Sequence, residues 1–164
     1  MSLNIEANGY LTPGIHQAKI SEVRLRFVVQ FSRSNTRSAI FEGYERYITQ
    51  LLADVSSAKQ FLNGSFVSSK NDPGDIDIVT FADADMIDAL PYEAQLRLEA
   101  LFDAESAKAN YSCDAYFCPI LPEGHPDHAR TRASRKYWMG EFGYDRVDNP
   151  KGIIEVSISR NGEQ

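Results

Sequence analysis

An α+β domain, a mixed β-sheet with helices packed on it, is what this 164-residue sequence predicts. Three observations lead there. Apolar residues recur at helical spacing in some segments, as at Ile40, Tyr44, Tyr47, Ile48, Leu51 and Leu52, and alternate in others, as at Ile154, Val156 and Ile158. The two kinds of segment interleave in the order α-α-β-β-α-β-α-β. With 43% hydrophobic and 24% charged residues, the chain has the composition of one domain able to bury a core.

Taken in order, Thr12-Pro13-Gly14 carries turn chemistry, and Ser21 precedes the apolar series Val23, Phe27, Val28 and Phe31, which predicts a capped amphipathic helix. A second helix is expected from about Asn35. "KQFLNGSF" reads as a short strand ending in a glycine turn, and "DIDIVTF" as its partner across the loop "SSKNDPG". The stretch from Asp83 to Tyr111 is helical in composition, with Pro91 separating two pieces. "SCDAYFCPI" is a third strand, "TRASRKYWMGEFG" a helix and "KGIIEVSIS" a closing strand. One domain over 1–164 is expected, with N-terminal helices in 1–60, a core carrying the site chemistry in 61–120, and a C-terminal helix and strand in 121–164.

Several classes are disfavoured. A formal net charge of −6 argues against general DNA binding or an anionic membrane surface. No run reaches the roughly 20 apolar residues of a membrane helix, and the N-terminus lacks a secretory layout, so a cytoplasmic location is expected. Cys113 and Cys118 are separated by an odd offset in one strand, which points them to opposite faces and away from a mutual disulfide. Phosphate-loop and dinucleotide-binding glycine patterns do not occur.

The chemistry concentrates in "LNGSFVSSKNDPGDIDIVTF", Leu62 to Phe81. In a strand, Asp75 and Asp77 share a face while Ile76 and Ile78 take the other. Two such carboxylates about 4–7 Å apart repel by roughly 2–4 kcal/mol at an effective dielectric near 20, so ionising both calls for a cation. Magnesium accepts such hard oxygen ligands. Asp114, inside the next apolar strand, is a third candidate if that strand lies beside "DIDIV"; a charge near −3 then suits two divalent ions, which align a hydroxyl with the phosphate it attacks. Gly64 lets backbone approach a phosphate closely, and Ser65 offers a hydroxyl beside it.

This combination of Gly64-Ser65, Asp75-Ile76-Asp77 and a later strand aspartate resembles the nucleotidyltransferase superfamily typified by DNA polymerase beta and the aminoglycoside nucleotidyltransferases. Over "GYLTPG", "FLNGSFVSSKNDPGDIDIVTF" and "YWMGEFGYDRVDNPKGIIEVSI" the chain is also similar to small bacterial nucleotidyltransferase-like proteins. The resemblance implies a nucleotidyltransferase-like fold and transfer of a nucleoside monophosphate from a nucleoside triphosphate, ATP or another, to a hydroxyl on a protein, a small molecule or an RNA end. It implies two Mg2+ or Mn2+ ions. Asp75 and Asp77 would bind both, Asp114 the one beside the attacking hydroxyl, and Gly64 and Ser65 would hold the triphosphate.

Each feature also has a plainer reading. Asp75 can be a turn residue after Pro73-Gly74, Asp77 an edge-strand charge, and Asp114 a solvated strand aspartate. Arg132 and Lys136, one helical turn apart within the basic run Arg130, Arg132, Arg135, Lys136, are either a phosphate clamp or a solvated helix face. Asp145 and Arg146 are either a structural ion pair or part of the nucleotide pocket. His16, and His125 and His128 among turn residues, read as loop histidines. A different functional class is also open: a catalytically weak binding module, an antitoxin-like partner of another bacterial protein, which needs an exposed apolar patch on the N-terminal helices.

Overall fold

Alternation of apolar and polar residues builds most of a five-stranded mixed sheet in the computed structural model, which describes residues 3–162; Met1, Ser2, Glu163 and Gln164, at the ends of the expected 1–164 domain, lie outside the described residues. The strands are β1 (Gly14–Gln17), β2 (Ser57–Asn63), β3 (Ile76–Asp83), β4 (Cys113–Ile120) and β5 (Gly152–Ser159), in the spatial order β1-β5-β2-β3-β4. β2 runs antiparallel to both β3 and β5, whereas β1–β5 and β3–β4 are parallel pairs. The expected α+β class is therefore observed, and β2 and β3 are the expected antiparallel neighbours.

Among the described residues six α-helices accompany the sheet: α1 (Ile20–Arg24), α2 (Arg37–Asp54), α3 (Ala84–Asp88), α4 (Tyr92–Phe102), α5 (Ala104–Tyr111) and α6 (His128–Gly143). Ile78 and Ile76 of β3 and Ile154, Val156 and Ile158 of β5 face one way, into a core shared with Phe41, Tyr44, Tyr47 and Leu51 of α2. On the opposite face Phe61, Val79, Phe81 and Ile153 pack beneath Phe142 and Trp138 of α6. Cys113 belongs to the first core and Cys118 to the second, so the two free thiols are on opposite faces, as their spacing predicts. No helix among the described residues is long and apolar enough to cross a membrane.

Three local features differ from expectation. Gly14–Gln17, read as the approach to a helix, is instead a strand paired in parallel with the C-terminal β5, because tertiary hydrogen bonding overrides a pattern too short to show a period. The 1–60, 61–120 and 121–164 segments are thus interleaved in one sheet. Ser21 does not cap the first helix: Lys19 is the N-cap, and its backbone N–H donates to the Glu22 carboxylate at 2.8 Å. That helix continues as a π-helical turn over Leu25–Val29, closed by Gln30 N–H to Leu25 O at 3.1 Å. The third departure lies between Asp83 and Tyr111, where three helices stand in place of two. Pro91 marks the expected boundary, as the N-cap of α4, and Asp103 adds a break by accepting the Ser106 N–H at 2.8 Å.

Pro119 is tolerated in β4 because that strand is an edge. β3 and β4 therefore run in register to their ends, and their N-terminal ends carry the aspartates.

Candidate active site

The parallel pairing of β3 and β4 sets Asp77 against Asp114, with Ile76 against Cys113 one residue earlier. Register partners share a face, so the two carboxylates stand on the same side of the sheet, the α6 side, while Ile76 and Ile78 are fully buried on the other. Asp75 precedes β3, and its Oδ2 receives the Lys108 ammonium at 2.6 Å. Lys108 reaches it from the last turn of α5, which ends at Ser112 in the left-handed conformation (φ 56°), where the chain turns directly into β4.

Across the other edge of β3, Asn63 of β2 is the register partner of Asp77, and Gly64 follows it. Gly64 adopts φ 79°, ψ −166°, a region open almost only to glycine. A Cβ there would lie 2.7 Å from Asp77 Cγ and Oδ2. The glycine therefore serves first to seat the Asp77 carboxylate against backbone. Asn63 donates its amide to Gly152 O at 2.9 Å, and its buried Oδ1 has no partner among the described residues.

The Gly64-Ser65 turn is held from below by Arg37, a residue that sequence reasoning missed. Arg37 is only 1% exposed, and its guanidinium donates to the carbonyls of Phe27, Phe66, Ser68 and Lys70 at 2.6–2.9 Å. It stacks over Phe31 with 3.8 Å to the ring centroid. Burial lowers its pKa to about 10, so it remains charged at neutral pH. Its position in the first turn of α2, as a cation among polar residues, gives no sequence signal of burial.

Asp75, Asp77 and Asp114 line one cleft of about 970 Å³ together with Gly64 and Ser65. Four cations line it too: Lys70, Lys108, Arg146 and Lys151. Lys108 is paired, whereas Lys70, Arg146 and Lys151 have no ion-pair partner among the described residues. Burial pushes the Asp77 carboxyl up to about 6, and the Asp75 and Asp114 charges push in the same direction. Burial lowers the Lys151 pKa, opposed by Asp77 and Asp145. Lys108 is shifted upward by its hydrogen bond and ion pair with Asp75.

Arg132 and Lys136 are exposed on α6 and do not line this cleft. Their neighbour Arg135 has a structural place, paired with Glu155 at 2.9 Å and stacked 4.7 Å from the Phe61 ring centroid. Asp145 and Arg146 both line the cleft without forming an ion pair; Asp145 instead accepts the backbone N–H of Val147 and Asn149, each at 2.9 Å. The histidines are tied to local backbone, His128 to Leu121 O at 2.8 Å and His16 to Thr12 O at 2.6 Å.

The donor set is all oxygen and anionic, which in kind fits Mg2+ or Mn2+. It is not assembled as a three-carboxylate centre: among the described residues no three His, Cys, Asp or Glu side chains are grouped so as to hold an ion. The expected convergence is corrected to that extent. Asp77 and Asp114 are paired in register, whereas Asp75 is engaged by a tethered ammonium, which relieves the repulsion among adjacent carboxylates.

Residues 3–157 match the model of DUF6932, a family of unknown function. The chain belongs to that family. No curated protein and no solved structure matches it. The DUF6932 match spans every residue that lines the cleft, from Tyr10 to Lys151.

Proposed function

We propose that this DUF6932 chain binds a nucleoside triphosphate with a divalent cation in the cleft and transfers the nucleoside monophosphate to a hydroxyl acceptor. The observation that carries the reading is the register pair Asp77 and Asp114, with Asp77 seated beside Gly64, in a cleft that also presents Lys70, Arg146 and Lys151, cations with no ion pair among the described residues. Carboxylates suited to a metal and cations suited to phosphate oxygens meet in one cleft. Asp77 and Asp114, with Asp75 once released from Lys108, would hold Mg2+ or Mn2+, which supplies charge neutralisation and alignment at the α-phosphate.

Asp114 takes the proton of the acceptor hydroxyl as its oxygen bonds to the α-phosphorus. The bond from that phosphorus to the bridging oxygen breaks, and pyrophosphate leaves. Lys151 and Arg146 hold the departing phosphates, and the Ser65 hydroxyl, unbonded among the described residues, donates to a phosphate oxygen. An acidic chain favours a protein side chain or a small molecule over a long nucleic acid as acceptor.

The test is a thermal-shift series with ATP, GTP, CTP and UTP, each with magnesium or manganese. At ligand near 100 times its Kd the stabilisation is about 2.7 kcal/mol, a rise of several degrees in Tm. Absence of any shift, or an equal shift in the Asp75→Ala/Asp77→Ala variant, overturns the reading. Two observations favour a second one, a weakly catalytic binding module of the antitoxin type: Lys108 engages Asp75, and Leu25 and Val29 on the π-helical turn are exposed. On that reading a partner co-purifies and nucleotide gives no shift.

A further inference from the structure

Among the described residues, Lys108 is the one cation of the cleft whose charge is already committed, to Asp75 Oδ2 at 2.6 Å. Its placement is built into the fold. α5 packs on β4 and α2, and the turn that ends it is fixed twice at Ser112, whose N–H donates to Lys108 O at 3.1 Å and whose carbonyl accepts the Ile76 N–H at 3.1 Å. The backbone of Lys108 is thereby tied to the residue just before β4 and, through it, to the first residue of β3. The side chain spans from there to the carboxylate just before β3. Lys70, Arg146 and Lys151 line the same cleft and, among the described residues, form no ion pair with a carboxylate.

An ammonium at 2.6 Å from Asp75 Oδ2 occupies the contact that a metal would need on that oxygen. One tethered positive charge also offsets the mutual repulsion of Asp75, Asp77 and Asp114 only in part. We propose that Lys108 is a metal gate: it holds Asp75, weakens binding of a free divalent ion, and releases Asp75 when a triphosphate offers its ammonium another anionic partner. The inference rests on the metal-nucleotide reading above and adds an order to it, in which metal enters with the nucleotide rather than ahead of it. Lys151, which feels Asp77 across the cleft but makes no ion pair, contributes only a diffuse field. Removing it relieves no contact.

The test is titration of the metal-free protein with Mn2+ alone, read by the loss of the free-ion electron paramagnetic resonance signal. Lys108→Met is expected to bind Mn2+ about tenfold tighter than wild type, the loss of a contact competitor outweighing that of a general charge. Lys151→Met should change affinity about twofold at most, in keeping with a screened field. Lys108→Arg keeps the charge and should keep the wild-type affinity. Should Lys108→Met fail to fold, as judged by circular dichroism, Lys108→Gln takes its place. In wild type, an α,β-methylene triphosphate analogue should tighten Mn2+ binding, and in Lys108→Met it should do so less. Equal or weaker Mn2+ binding by Lys108→Met, or an equal gain from Lys151→Met, overturns the gate while leaving nucleotide binding intact. No Mn2+ binding by any variant, with or without the analogue, overturns the gate and the nucleotidyl-transfer reading together.

Discussion

Replacing Asp77 by Asn should make the metal-free protein more stable at pH 8. The carboxyl is pushed from an ordinary 3.8 up to about 6, first by burial against Gly64 and the sheet, then by Asp75 and Asp114. Between those two values the folded chain keeps a proton that the unfolded chain has lost. The associated stability is complete below about pH 4 and disappears as pH rises through 6, so above that the folded state carries a buried, repelled charge. A displacement of about two units at 1.36 kcal/mol each sets a ceiling near 3 kcal/mol, and partial solvation of the cleft brings the expected gain to about 1–3 kcal/mol. Asn has the shape of Asp and fits the same seat beside Gly64. Urea unfolding of wild type and Asp77→Asn in chelator at pH 4.5, 5.5, 6.5 and 8 reads the effect directly. The advantage of the variant should be smallest at pH 4.5 and largest at pH 8. A variant less stable than wild type at pH 8, or a difference that does not change with pH, would refute the account of Asp77 as a destabilised charge. The same substitution should abolish stabilisation by metal-nucleotide, which would identify the strained charge as one kept for binding.

Two further predictions concern the support of the cleft. Gly64→Ala places a Cβ 2.7 Å from the Asp77 carboxylate in a conformation nearly restricted to glycine, and should cost about 2–4 kcal/mol in urea unfolding; a loss below about 0.5 kcal/mol would contradict the seat. Removing the carboxylate as well, in Gly64→Ala/Asp77→Ala, should relieve the clash but not the backbone strain. Arg37→Met leaves four carbonyls without their donor and should cost about 3–5 kcal/mol, with faster proteolysis in the 64–70 turn than elsewhere. Retention of wild-type stability there would show that water replaces the guanidinium.

How much of this was legible in the sequence depends on the range of the interaction concerned. The α+β class, the antiparallel β2–β3 pair, the break at Pro91 and the opposed cysteines follow from period, turn chemistry and strand alternation, which are local. So does the sharing of one face by Asp77 and Asp114 once β3 and β4 are neighbours, but the parallel register that sets them opposite one another is a tertiary fact. β1 escaped detection because four residues cannot display a period, and what makes them a strand is the C-terminal β5. The basic run on α6 pointed to Arg132 and Lys136 by density of charge, whereas the cations in the cleft come from three separate segments: Lys70 from the loop before β3, Lys108 from α5, and Arg146 and Lys151 from the connection between α6 and β5. A lysine in a helix or a loop has the same sequence appearance whether it faces water or a carboxylate. Arg37 is the extreme case, since only the folding of the 64–70 turn around it supplies the carbonyls that let a cation be buried. The sequence by itself determined which residues carry the carboxylate chemistry and on which strands they ride, because side-chain alternation is a property of one strand. Which cations meet them, and that Lys108 already holds Asp75, was decided by tertiary structure, because charges far apart along the chain come within reach of one another only when helices and strands are packed together.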